Sequence, residues 1–116
     1  MANTLGVPYE QLAEQFLQQQ GLQSLTNNFR CKLGEIDLIM RDGATLVFIE
    51  VKYRASNTFG GAMAAVSQRQ QQKLLRTAQL YLQRSNYQGP CRFDVVAISG
   101  HDPYDFNWMK SAIQAG

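Results

Sequence analysis

Between Gly34 and Lys52 the chain reads GEIDLIMRDGATLVFIEVK, and apolar and polar positions alternate with the period of two that marks strands. Ile36, Leu38 and Met40 alternate with Asp37, Ile39 and Arg41, and Val47, Ile49 and Val51 alternate with Phe48, Glu50 and Lys52. Successive strand residues point to opposite faces, so Glu50 and Lys52 share one face. Asp42-Gly43 suits a tight hairpin turn, with room for a loop one or two residues longer. Such a hairpin brings Asp37 beside Glu50 and Lys52.

The flanking segments repeat every 3.6 residues instead. Pro8 to Gln20 predicts an amphipathic helix with Tyr9, Leu12, Ala13, Phe16 and Leu17 on one stripe. Glu10 falls about 80° from the centre of that stripe and Glu14 about 120°. Glu10 is therefore a boundary residue able to look into a site beside the core, and Glu14 is expected in solvent. Ser24 to Leu33 predicts an outer strand, with Asn27-Asn28 as a bulge or turn. Ala55 to Ala65 reads as a mobile loop, and Ser67 as the N-cap of a second helix running to about Ser85. Its apolar stripe is Leu74, Leu75, Ala78, Tyr81 and Leu82. Arg69, Lys73, Arg76 and Arg84 lie within roughly 60–80° of one another on the opposite side. After Gly89-Pro90, RFDVVAIS (Arg92 to Ser99) predicts a strand buried on both faces. Phe106 and Trp108 then form a short closing strand or pack over the core. The order helix, three strands, helix, strand predicts an α/β fold, with the second helix as a crossover between parallel strands of a mixed sheet.

Composition narrows the class. A chain of 116 residues, 45% hydrophobic and 17% charged, is expected to form one globular domain. No apolar run reaches the ~20 residues that span a bilayer, and no signal-peptide pattern opens the chain, so the expected address is the cytoplasm. Cys31 and Cys91 are too far apart for a zinc motif, and His101 is the only histidine, which excludes designs needing two. The net charge of +2 conceals segregation: Val51 to Phe93 holds seven basic residues and no acidic one. That tract favours a polyanionic partner, the alternative being a solvated basic helix face.

The candidate chemistry follows from charge placement. Asp37 and Glu50 can each give a carboxylate oxygen to Mg²⁺ or Mn²⁺, with the Val51 carbonyl as a third ligand and water or phosphate completing the shell. Lys52 would orient water or offset charge building on a phosphoryl group. The competing reading is a structural ion pair at a sheet edge. Glu35 is expected in a structural or outer role, Asp94 in a buried hydrogen bond, and His101 at the surface. Tyr53 and Arg54, directly after Lys52, either touch nucleic acid or close the sheet edge.

The motifs Gly34-Glu35-Ile36-Asp37-Leu38-Ile39, Phe48-Ile49-Glu50-Val51-Lys52 and Arg92-Phe93-Asp94-Val95-Val96 resemble the YraN-like family of uncharacterised bacterial proteins. That family is similar to the Holliday-junction-resolvase branch of the PD-(D/E)xK nuclease superfamily. The resemblance runs from Glu10 to Trp108 and implies a restriction-endonuclease-like αβββαβ core. By position it implies Glu10 as the first-helix acid, Asp37 and Glu50 as metal ligands, and Lys52 as the catalytic lysine. Two positions depart from the pattern. Tyr9 stands where a glycine usually precedes the helix acid, and Gln70 where the second helix usually carries lysine.

The expectation is thus a Mg²⁺- or Mn²⁺-dependent nuclease acting on structured or damaged DNA. Arg54, Arg69, Gln70, Lys73, Arg76 and Arg84 are the candidate DNA contacts, and a homodimer would supply structure selectivity. The alternatives are a non-catalytic nucleic-acid-binding or adaptor domain, to which Gln70 points, and a protein-interaction scaffold, against which the basic tract argues.

Overall fold

The computed structural model describes residues 8–54 and 66–113. The loop expected from Ala55 to Ala65 lies outside them. Helix α1 (Tyr9–Gln19) begins directly after Pro8, whose fixed φ and missing N–H suit a helix start. The stripe read from its sequence is the buried one: Ala13 and Leu17 are fully enclosed, with Tyr9, Leu12 and Phe16 packed around them. Enclosing a side chain such as Leu17 contributes on the order of 1.5–3 kcal/mol. Glu14, expected in solvent, accepts exposed hydrogen bonds from Ser24 and Asn27 that tie α1 to the first strand.

Among the described residues five strands follow in two groups: β1 (Gln23–Cys31), β2 (Gly34–Asp42) and β3 (Thr45–Arg54), then β4 (Cys91–Ser99) and β5 (Asp105–Ile113). They form one sheet in the order β1-β2-β3-β4-β5, with β3 and β4 parallel and every other pair antiparallel. The crossover between β3 and β4 contains α2 (Gln68–Ser85), capped by Ser67, whose hydroxyl accepts the Gln70 N–H. The result is the α/β mixed sheet flanked by helices that the residue pattern predicts, as in a restriction-endonuclease-like core. A full fifth strand, carrying Phe106 and Trp108, resolves the tail.

Each sheet face has its own core. Leu38, Met40, Val47, Ile49, Val96 and Ile98 pack under α1, while Ile39, Phe48, Phe93, Val95 and Ala97 pack under α2 with Leu74 and Ala78. Two turn details differ from expectation. The β2–β3 loop is Gly43-Ala44, because Asp42 pairs with Thr45, and Gly43 takes the positive φ of +60° that the turn needs. The bulge in β1 falls at Leu25, between Ser24 and Thr26, not at Asn27-Asn28, although Asn28 does adopt a left-handed φ of +55°.

Asp94 stands in the most buried strand and is fully hydrogen-bonded. It accepts from Arg92 Nε at 3.0 Å, from Trp108 Nε1 at 2.9 Å and from the Ser111 N–H at 2.9 Å. Arg92 also reaches Asp42 at 2.9 Å. Asp94 therefore joins β5 to β4 at a break in their register and serves the scaffold. No helix among the described residues is long and apolar enough to cross a membrane.

Candidate metal centre and its cleft

The site forms where the β2–β3 ladder stops. Pairing runs from Asp42↔Thr45 to Leu38↔Ile49 and goes no further. Beyond it the alternation of β2 breaks: Ile36 joins the cluster under α2 along with Ile39, whereas Leu38 and Met40 face α1. The break falls at Asp37. Its side chain fills the gap between the strands, where Oδ2 accepts the backbone N–H of Val51 at 2.8 Å. Both Asp37 and Glu50 are buried, with 8% and 7% of their surface exposed.

Glu50 receives two donors on the same oxygen. Lys52 Nζ lies 3.2 Å from Oε2, and Gln70 Nε2 donates to Oε2 at 2.8 Å. Burial and the facing Asp37 carboxylate push its carboxyl up to about 7, against the opposing pull of Lys52. Glu10 approaches Asp37 from α1. Burial and Asp37 raise its carboxyl to about 7 as well, while a side-chain hydrogen bond from Asn28 works in the other direction. Two acids held near neutrality around a third is a costly arrangement that a structural ion pair does not require. No three His, Cys, Asp or Glu side chains among the described residues are grouped closely enough to hold a metal ion unaided. A cation here would draw on the carboxylate pair together with backbone and water oxygens.

A cleft of about 500 Å³ opens onto this pair between β2 and the first turns of α2, lined by Asp37, Glu50, Arg69, Gln70 and Lys73 with Gly34 and Leu74. Gly34 sets how closely the helix approaches. A Cβ there would sit 2.9 Å from Thr77 Oγ1, and its φ of +153° disfavours a side chain. Thr77 is itself buried and bonded to the Lys73 carbonyl, so Gly34 lets α2 lie directly over β2 with Lys73 at the rim. Among the candidate DNA contacts, then, Arg69, Gln70 and Lys73 meet the carboxylates in one cleft. Arg54, Arg76 and Arg84 are exposed and stand outside its lining. Glu35 lines the cleft while pairing with Arg30 at 3.3 Å, an exposed contact of small energetic weight. Tyr53 stacks on Tyr9, and its hydroxyl donates to the Gly100 carbonyl. His101 is exposed.

Residues 9–98, which include Glu10, Asp37, Glu50, Lys52 and Gln70, match the uncharacterised protein family UPF0102. The chain belongs to that family. A UPF0102 protein of Janthinobacterium sp. (strain Marseille) is 53% identical over 100 residues, covering 86% of this chain and 79% of the relative. One from Vibrio campbellii is 50% identical over 116 residues, covering 97% and 93%. One from Methylobacillus flagellatus is 46% identical over 111 residues, covering 96% and 97%. The UPF0102 name carries no activity, so the chemistry has to be argued from the site.

One participant escaped the sequence pattern of this UPF0102 chain. Asn28 looked like a turn residue because asparagine is common in turns, yet its amide serves Glu10. Gln70 lies at the edge of the α2 apolar stripe, a position from which it faces the site and donates to Glu50.

Proposed function

We propose that the chain is a metal-dependent nuclease that hydrolyses phosphodiester bonds in structured or damaged DNA, using Mg²⁺ or Mn²⁺ held by Asp37 and Glu50. The observation that carries this reading is the meeting of two buried carboxylates, with Lys52 on one of them, at the floor of a cleft rimmed by Arg69 and Lys73. A divalent cation between the carboxylates would take the place of the proton that Glu50 holds near neutrality, and hard oxygen donors suit Mg²⁺ and Mn²⁺. A strand residue directs its N–H and C=O to the same side. The Val51 N–H is on Asp37, so its carbonyl faces the same gap and supports Val51 as a further ligand.

Such an ion, when bound, would polarise a phosphoryl oxygen and lower the pKa of its water. The side chains supply the rest. Lys52, beside Glu50, is placed to orient the attacking water or to offset charge on the phosphoryl oxygens. Glu10, titrating near 7, is suited to exchange a proton at neutral pH. Arg69 and Lys73 would neutralise flanking phosphates.

The test is cleavage of branched, nicked and single-stranded DNA in Mn²⁺ by the wild type and by Asp37→Asn, Glu50→Gln and Lys52→Ala. Cleavage by the wild type, lost in all three variants, is expected. Activity that survives Glu50→Gln would remove the site from the chemistry. One observation favours a second reading, a DNA-binding or adaptor domain without turnover: Glu50 receives a neutral amide from Gln70 where the resemblance implies a lysine. DNA binding by the wild type without cleavage of any substrate would decide for it.

A further inference from the structure

On the far side of Val51 from the basic cleft lies a second groove, of about 410 Å³, lined by Pro8, Tyr9, Glu10, Gln11, Val51 and Tyr53. We infer that this groove receives an unpaired nucleobase next to the phosphate held over Asp37 and Glu50, which makes the substrate a DNA strand that is single or locally splayed. The inference rests on the nuclease reading and narrows its substrate.

Three features of the groove carry it. Among the described residues the lining offers no lysine or arginine to neutralise a phosphate, whereas the cleft across Val51 presents Arg69 and Lys73. Charge is thus sorted across the end of β3, with the anionic backbone favoured on one side and an uncharged group on the other. Two of the lining residues, Tyr9 and Tyr53, are aromatic. Tyr9 stacks on Tyr53 with ring centroids 4.2 Å apart and an interplanar angle of 17°, Tyr104 meets both rings edge-on, and the Tyr53 hydroxyl is tied to the Gly100 carbonyl at 2.7 Å. A tyrosine ring face open to the groove can stack any base, since every base has a π-face. Finally, Gln11 brings an amide and Glu10 a carboxyl to the rim, groups that pair with the donors and acceptors on a base edge. A base paired within a duplex exposes no free face and cannot enter. Glu10 and Val51 belong both to this groove and to the candidate metal centre, so base and scissile phosphate would be neighbours.

The experiment uses a short oligothymidylate carrying one 2-aminopurine, bound to full-length protein without added divalent cation. Affinity is read by anisotropy and stacking by quenching of the 2-aminopurine. The variants are Tyr9→Leu, Tyr9→Phe and Arg69→Ala, each checked by thermal melting. Wild type and Tyr9→Phe should bind and quench. Tyr9→Leu should lose quenching and bind roughly ten-fold more weakly, the usual scale of one lost base stack. Arg69→Ala should bind more weakly with the quenching of its bound fraction intact. Unchanged affinity and quenching in Tyr9→Leu, with Arg69→Ala weakened, would overturn the groove and leave the nuclease reading standing. No binding of the strand by the wild type would overturn the groove, while cleavage of branched or nicked DNA in Mn²⁺ decides the nuclease reading separately.

Discussion

Gln70 and Lys52 converge on a single oxygen of Glu50, at 2.8 and 3.2 Å, which leaves Glu50 Oε1 outside both contacts. The two donors fix the carboxylate, but only Lys52 brings charge. Gln70 therefore orients Glu50 without cancelling its desolvation, and the carboxyl stays near 7. Gln70→Lys should lower its midpoint by about one pH unit or more, because a cation favours the ionised form. Carboxyl ¹³C NMR titration reads this directly, and an unmoved midpoint would separate Gln70 from the electrostatics of Glu50.

Removal of either carboxylate should abolish Mn²⁺ binding in calorimetric titration, and unchanged binding in both Asp37→Asn and Glu50→Gln would remove the metal-site assignment. The choice of substitution at Asp37 matters. Its Oδ2 is the partner of the Val51 N–H, so Asp37→Ala leaves a buried donor unpaired at a cost of about 1–3 kcal/mol. Asp37→Asn keeps an acceptor and should melt close to the wild type. Relief of carboxylate repulsion alone would predict that either variant is neutral or slightly stabilised.

Stability should fall as pH rises from about 4.5 to about 7. Glu10 and Glu50 are both raised from 4.5 to about 7 in the folded chain, so in that window the folded state binds more protons than the unfolded one. The penalty is absent below 4.5 and complete above 7. Glu50→Gln should flatten the decline, and Mn²⁺, by displacing the protons, should reverse it above pH 7. Urea denaturation at pH 5 and pH 8 checks both statements. Equal stability at the two pH values in the wild type would contradict the raised carboxyls.

The four basic residues of α2 should not behave alike. Arg69 and Lys73 line the cleft and Arg76 and Arg84 do not, although all four share one helix face in sequence. Alanine at position 69 or 73 should reduce the salt dependence of duplex binding by roughly 0.9 per lost phosphate contact, with stability within about 0.5 kcal/mol of wild type. Arg76→Ala and Arg84→Ala should leave the slope alone. Anisotropy over a salt series decides this, and equal slopes across all four variants would shift the binding surface away from the cleft.

Much of the fold was legible because it rests on periodicity. The α1 stripe, the Ser67 cap, the β2–β3 hairpin and the parallel β3–β4 crossover all follow from residue patterns and turn chemistry. The approach of Asp37 to Glu50 was legible for the same reason, since a hairpin register places them opposite. What escaped depends on departures from regularity. A period-two reading sets Ile36 on the face of Leu38, yet the break at Asp37 turns Ile36 toward α2. The contacts of Glu14 with Ser24 and Asn27 join elements whose relative placement no local pattern encodes.

The grip of Val51 on Asp37 is a peptide N–H, and a peptide group is common to every residue except proline. Position 51 can accordingly drift among small apolar residues that suit the packing under α1, reshaping the adjoining groove, while the hold on Asp37 passes unaltered from one sequence to the next. A saturation library at this codon should read as a lone forbidden proline among many tolerated apolar substitutions. A lineage could thereby retune what it binds beside the carboxylates without ever passing through an ancestor in which they had come apart.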